Sequence, residues 1–297
     1  MIQFVQAKNT KHFSQFHFLI FCNPKAGKGR ALKEKEIVVD FFQKHSIAFT
    51  LHTEKSKPSA LQFDCILIIG GDGTLHHVVN LLSPIQVPIV LIKGGTGNDF
   101  YSLLHGKLKT IDMLNTLYQK FNTLKFDIGK CNDTFFVNGI GIGFDAAVVQ
   151  HNKAKKYIPG KLGYFIDVLS MLFQYNEQEV QVQINKQKPF SLPLFMLTIA
   201  NGKTYGGGFK VAPKASIEDG KLDCIVVQTI PKWRRLLLLP VMERGKHLNL
   251  KEVNFQQIQN CQISSNTALA IHLDGELKQH NFYDIQILPK QMSVLVP

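Results

Sequence analysis

Three glycine-rich turns, each following directly on an apolar run, constrain this chain more than any other feature. "FHFLIFC" (16–22) leads into "NPKAGKGRA", "DCILIIG" (64–70) into "GDGT", and "VPIVLIK" (87–93) into "GGTGNDF". Glycine lacks a Cβ and adopts left-handed backbone freely, so such turns allow tight bends and close main-chain approach. Amphipathic segments such as "ALKEKEIVVDFFQKH" and "TLHHVVNLL" lie between the runs. Apolar strand signals alternating with helix signals predict a doubly wound, three-layer α/β domain with a mostly parallel sheet. Ligands of such sheets bind outside the carboxyl ends of the strands. All three turns follow a strand and should converge on one edge of the sheet.

Main-chain amides in a strand-to-helix turn, with the positive end of the following helix, suit phosphate. "NPKAGKGRA" adds charge through Lys25, Lys28 and Arg30, although its spacing is not that of a Walker A loop. In "GGDGT" the charge of Asp72 is wrong for direct phosphate contact. An intervening Mg²⁺ or water would explain it, since Mg²⁺ takes one or two carboxylates plus phosphate oxygens; a turn or cap carboxylate is the alternative. Thr74 can cap the helix or bond a phosphate. "GGTGND" repeats the logic with Thr96, Asn98 and Asp99. The three turns together predict phosphate binding.

The pattern changes near residue 125. "KFDIGKCNDTFFVNGIGIG" reads as two strands joined at Asn132-Asp133, and β-type runs follow at 180–184, 192–201, 221–229 and 268–276. Long helical signals occur only at about 160–175 and 231–248. This predicts a β-rich second domain of sandwich type. "YDIQILP" and "SVLVP" are strand-like and either finish that domain or return to the first. The net charge of +12 favours an anionic partner. Five cysteines without a CxxC pair read as reduced buried thiols, with Cys131, near a turn, the most exposed. With no leader pattern and no apolar run near the roughly 20 residues of a membrane span, a cytoplasmic protein is expected.

"NPKAG", "GGDGT" and "GTGNDF", in this order, resemble the bacterial soluble diacylglycerol kinases and their sphingosine and ceramide kinase relatives. The resemblance extends through "FDIGK" (126–130), "NGIGIGFDA" (138–146), "EDGKLD" (218–223) and "LDGE" (273–276). It implies an NAD kinase/diacylglycerol kinase-like fold. A nucleotide-binding α/β domain would span 1–126 and be completed by about 285–297, and a β-rich substrate domain would span 127–284, with ATP and substrate in the cleft between them. ATP contacts carry over onto Asn23, Pro24, Lys25, Ala26 and Gly27, onto Thr53, onto Gly70, Gly71, Asp72, Gly73 and Thr74, and onto Thr96. Asp72, Asp99 and Asp127 resemble the acidic cluster that organises a catalytic Mg²⁺ and its waters. Two departures stand out: Tyr101-Ser102 where many relatives have Ala-Arg, and His76-His77 where relatives often have Asn-Glu. The His pair reads as partly solvated helix surface.

Asp274-Gly275 is a hairpin signal on residue type alone. The resemblance instead implies that Asp274 is the general base, with Glu276 supporting it. It also implies a structural Mg²⁺ site from the Asp219 carboxylate and the main-chain oxygens of Ser216 and Lys221; an Asp-Gly turn is the alternative there. "IPKWRRLLLLPVMERGKH" (230–247) and "HNKAKKYIPGKLGYF" (151–165), with Lys161, are basic and apolar, so either can rest on an anionic bilayer or pack in a core. The expected reaction is ATP- and Mg²⁺-dependent phosphorylation of a lipid hydroxyl presented at the inner membrane face, foremost that of diacylglycerol. Nucleic acid is not an expected partner, and open sheet edges leave room for a homodimer. The alternatives are a sphingoid base or prenol as acceptor, NAD kinase chemistry, and a nucleotide-binding regulator without catalysis.

Overall fold

A computed structural model describes residues 11–52, 58, 63–154 and 161–297, leaving aside the side chains of 152–167 and 237–239. The chain divides into two compact units, one running to Asp127 and including Pro289–Pro297, the other Ile128–Leu288.

The first unit alternates strand and helix: β1 (His17–Cys22), α1 (Arg30–Lys44), β2 (Ala48–His52), β3 (Cys65–Gly70), α2 (Asp72–Leu82), β4 (Ile89–Lys93), α3 (Asp99–His105), α4 (Thr110–Gln119) and the start of β5 (Asn122–Cys131). The strands lie parallel in the order β2-β1-β3-β4. Val294, near the C-terminus, extends this order by pairing in parallel with Ile89. Every residue of the central β3 is buried, whereas the edge strand β2 is not buried at any position. A strand covered on both faces needs an unbroken apolar sequence, which "CILIIG" provides. Helix α1 buries Ala31, Val38, Phe41 and Phe42, a stripe at helical spacing. Phe18 packs between Phe13 and Phe42, its ring centre 4.9 Å from each.

The second unit holds β6 (Thr134–Phe136), β7 (Gly139–Gly143), α5 (Phe144–Ala154), α6 (Lys161–Gln174), β8 (Gln178–Ile184), β9 (Phe190–Ala200), β10 (Leu222–Gln228), α7 (Lys232–Glu243), β11 (Val253–Ile258), β12 (Asn260–Leu273) and β13 (Glu276–Val296), whose last residues belong to the first unit. The pairings among β7 to β12 are antiparallel. Strands β9 and β12 each pair with β7 through one segment and with β8 through another, so both pass from one sheet to the next. Along β10, Leu222, Cys224 and Val226 join one apolar core with Ile140, Leu197 and Ile271, while Ile225 and Val227 join a second with Val148, Val168 and Leu172. The period-2 geometry of the strand thus serves a sheet-facing core on one side and a helix-facing core on the other.

Three expectations need correction. The segment from 122 to 143 forms three strands, because β6 is a short hairpin return onto β5 before β7 begins. A further helix, α5, stands directly after β7 and buries Phe144, Ala146 and Val148. Cys131 is 3% exposed, and Cys22 is the cysteine of intermediate exposure.

His105 closes α3, its ring 4.9 Å from that of Tyr101, and neither ring nitrogen has a hydrogen-bond partner. Burial pushes its pKa down to about 4. The neutral ring therefore contributes stability that is complete above the unfolded value near 6.5 and is lost as pH falls towards 4. Urea unfolding at pH 7.5 and at pH 4.5 should show His105→Phe losing less stability than wild type over this interval, by on the order of 2 kcal/mol.

Candidate functional site

The three glycine turns of the first unit pack main chain against main chain. A Cβ on Gly27 would stand 2.2 Å from the Gly94 oxygen, and one on Gly95 would stand 2.4 Å from Cα of Gly71. Gly94 N–H donates to Gly70 O at 2.7 Å, continuing the β3–β4 ladder into the turns. Side chains then tie the turns together. Asn23 Nδ2 donates to Thr74 Oγ1 at 3.4 Å, and Arg30 Nη1 to Gly95 O at 3.1 Å. Asn98, with φ of 55°, accepts from Gly95 N–H at 2.8 Å and donates back to Gly95 O at 2.9 Å. The sequence pattern places Asn98 in the phosphate-binding turn; asparagine's tolerance of left-handed backbone is the signal for its structural task. Asn23, Pro24, Lys25, Gly73 and Thr96 are exposed on this rim, and Ala26 and Gly27 partly so. Thr53 lies outside the described residues.

Asp72 spans two turns. Its carboxylate accepts the N–H groups of Asp99 at 3.0 Å and Phe100 at 2.9 Å. These are first-turn amides of α3, whose own cap residue, Asn98, makes no side-chain cap bond. Asp72 also occupies the first turn of α2. An anion beside two helix N-termini is doubly favoured. The cap reading of this acid therefore has direct geometry behind it. Asp99 is 6% exposed, and Asp127, fully buried on β5, accepts Lys290 N–H at 2.7 Å. His76 departs from expectation: it is 7% exposed with Asn80 bonded to its carbonyl, and only His77 faces solvent. Tyr101 is buried, its hydroxyl donates to Leu108 O, and Lys93 Nζ lies 5.4 Å from its ring centre.

Asp274 and Glu276 belong to the second unit. Asp274 and Gly275 form a two-residue hairpin turn between β12 and β13, with φ of 48° and 87°. The Asp274 carboxylate accepts three consecutive main-chain N–H groups, from Val137 at 2.7 Å, Asn138 at 2.8 Å and Gly139 at 2.9 Å. The turn and the positioned acid are thus the same feature. Glu276 is exposed.

Before β10, Asp219 Oδ1 accepts Lys221 N–H at 3.1 Å across Gly220, an Asx turn. Gln257 Nε2 bridges Asp219 and Asp223 at 3.2 and 3.4 Å. Asp223 is 2% exposed, and its Oδ2 has no hydrogen-bond partner. Burial, opposed by the Gln257 bond and assisted by the Asp219 charge, lifts its pKa to about 6. A buried unpaired carboxylate oxygen beside a second carboxylate fits a divalent cation. Ser216 lies on the same loop, its Oγ accepting Glu218 N–H at 3.4 Å. Among the described residues, no three His, Cys, Asp or Glu side chains converge as a direct metal cage.

On the basic helix α7, Trp233 is 66% exposed, while Arg235 is buried against Glu177 and three main-chain carbonyls. In the stretch 151–165, the side chains from 152 onward, including Lys161, lie outside those described.

Residues 17–131 match the diacylglycerol kinase catalytic domain, and residues 138–296 match the YegS C-terminal NAD kinase beta sandwich-like domain. A diacylglycerol kinase of Bacillus subtilis (strain 168) is 27% identical over 272 residues, covering 86% of this chain and 88% of that protein. One of Staphylococcus carnosus (strain TM300) is 28% identical over 218 residues, covering 72% and 70%. The crystal structure of a diacylglycerol kinase from Bacillus anthracis str. Sterne shares the fold with a TM-score of 0.72 at 23% identity, covering 95% of this chain and 98% of that one. An NAD kinase from Archaeoglobus fulgidus, solved with ATP, does so at 0.54 and 13% identity, covering 94% and 92%.

Asp72→Asn would leave one oxygen for two N–H donors and remove the charge from both helix ends. Urea unfolding should show a loss of about 1–2 kcal/mol. Gly95→Ala should cost more than Asp72→Asn in the same assay, because the contact it forces is with main chain.

Proposed function

Since the chain belongs to the diacylglycerol kinase family, with the catalytic domain followed by the YegS-type sandwich domain, we propose that it transfers the γ-phosphoryl group of ATP to a lipid hydroxyl, with diacylglycerol as first acceptor and phosphatidate as product. The observation that carries this reading is the convergence of the three glycine turns on one rim of the first unit, with Lys25, Lys28 and Arg30 on the first of them. Asn23 to Gly27, Gly70 to Thr74, and Thr96 bind the phosphates of ATP, mainly through main-chain amides.

In the reaction the acceptor oxygen bonds to the γ-phosphorus, the bond to the β–γ bridging oxygen breaks, and ADP leaves. The hydroxyl proton passes to the Asp274 carboxylate, with Glu276 beside it in the hairpin. An alcohol is a very weak acid and releases this proton only as the O–P bond forms. The transition state is loose, so positioning and charge neutralisation carry most of the catalysis. Asp72, Asp99 and Asp127 would hold a magnesium ion through water, and it would supply part of that neutralisation. Asp219, the main-chain oxygens of Ser216 and Lys221 and the unpartnered Asp223 oxygen would hold a second magnesium ion, which would brace the approach to β10. The lipid is taken from a bilayer surface, where exposed Trp233, Leu236 and Phe173 can rest in the interface. No helix among the described residues is long and apolar enough to cross a membrane.

Transfer of label from γ-labelled ATP to a panel of lipids in mixed micelles tests the reaction. Diacylglycerol should label first, and label on NAD alone would end the lipid reading. Asp274→Asn should keep nucleotide binding while kcat falls by at least ~100-fold. Surviving turnover would remove Asp274 from the mechanism. For the second metal, millimolar MgCl₂ should raise the Tm of wild type by a few degrees more than that of Asp219→Ala. An equal rise in both would dismiss the site.

A further inference from the structure

His272 stands two residues before Asp274, at the end of β12, and is 2% exposed. Opposite it on β7 is Gly141. A Cβ on Gly141 would lie 2.2 Å from both His272 Nε2 and Asp145 Oδ2, so the bare glycine makes room for these two groups to meet. They do so at 3.2 Å, with side chains 3% and 12% exposed. The Tyr205 hydroxyl donates to the same Asp145 oxygen, and Thr198 Oγ1, fully buried, lies 3.2 Å from that hydroxyl. Burial works against charge on Asp145. The nearby His272 ring and the Tyr205 hydroxyl outweigh it, and its carboxyl lies below the usual range.

The other ring nitrogen faces the turn. Gly275 N–H points at His272 Nδ1, 3.3 Å away. A main-chain N–H can only donate, so Nδ1 must carry the lone pair. With Nδ1 as the acceptor, the ring proton sits on Nε2, which lies 3.2 Å from Asp145 Oδ2 but makes no hydrogen bond, so this pairing is electrostatic. Asp145 is the acid that meets the ring, and Tyr205 packs edge-on with ring centres 5.5 Å apart. No spacing in the sequence signals this arrangement, because Tyr205 and His272 lie far along the chain from Gly141 and Asp145.

We propose that His272 is a positioning residue for Asp274. The Asp145 charge beside Nε2 favours the Nε2–H tautomer, and Nδ1 then anchors the Gly275 amide. That anchor holds the Asp274-Gly275 turn in the orientation that seats the Asp274 carboxylate on Val137, Asn138 and Gly139. The inference rests on the reading of Asp274 as the proton acceptor, but the anchoring itself can be measured without turnover.

Two substitutions separate the two ends of the ring. His272→Asn keeps an acceptor near the place of Nδ1; His272→Gln keeps a donor near Nε2 and loses that acceptor. His272→Gln should lower kcat by ~30-fold or more with KM for ATP within ~2-fold, and speed exchange of the Gly275 amide by ~10-fold or more, while His272→Asn stays within ~5-fold of wild type in both. Should His272→Gln fail to fold, Asp145→Asn, which removes the charge that favours this tautomer, should speed the same amide and lower kcat in the same direction. The proposal is overturned if the Asn and Gln variants behave alike, if exchange changes without kcat, or if activity merely tracks Tm. A wild-type protein that labels no acceptor would fail the kinase reading, whereas the exchange contrast would still decide whether His272 anchors the turn.

Discussion

The contact of Gly71 with Gly95, and of Gly27 with Gly94, is the constraint on which the first unit depends. Neighbouring parallel strands are about 4.8 Å apart, so loops leaving β1, β3 and β4 at the same edge compete for the same space. Side chains at these positions would force the loops apart. Without them the loops touch through main chain, and Asn98 and Arg30 close around the Gly95 peptide. A rim built this way presents peptide groups rather than side chains, which is the surface chemistry that anionic oxygen ligands need. The parallel sheet and the glycine turns are therefore one feature: each would be unfavourable without the other.

A second device recurs in both units. Asp72, Asp127 and Asp274 each spend their carboxylates on main-chain N–H groups from another part of the chain: residues 99 and 100, residue 290, and residues 137 to 139 respectively. Charge-assisted bonds of this kind are among the stronger hydrogen bonds, and removing the acceptor leaves buried donors unsatisfied. Three acids that read from the sequence as metal or proton machinery are thus also fasteners. They fix α3, the C-terminal segment and the start of β7.

Much of the fold is legible in the amino-acid sequence alone. The strands of the first unit are apolar runs because they are covered on both faces, and the turns between them are marked by glycine. The β-rich half shows in its alternation. What escapes such reading depends on long-range partners or on short elements. Helix α5 follows β7 directly, and the left-handed Gly143 that marks the junction is hidden among the alternating glycines of "GIGIG". His76 looks solvated because nothing in its neighbours reports that its face of α2 is covered. Cys131 sits beside a turn but points into the core of the sandwich. The link from His272 to Asp145 spans 127 positions and is enabled by Gly141, just before Asp145 on the strand that pairs with β12. Spacing rules cannot recover such a triple.

A double duty for Asp274, as fastener and as the proposed proton acceptor, is consistent with chemistry rather than an obstacle to it. In a loose phosphoryl transfer the acceptor proton becomes acidic late, so what the accepting group must supply is place and direction more than intrinsic basicity. A carboxylate on a flexible side chain would have to be ordered at each turnover. One already bound by three consecutive amides, at a turn whose next amide is itself anchored, has lost that freedom during folding. The same reasoning explains why the acid sits in a left-handed turn residue rather than in the middle of β12. A strand position fixes the side chain to one face, whereas the turn lets the carboxylate fold back along the adjoining main chain. Folding and the proposed catalysis therefore make the same demand on residues 272 to 275, and a change that loosens the turn should be felt by both.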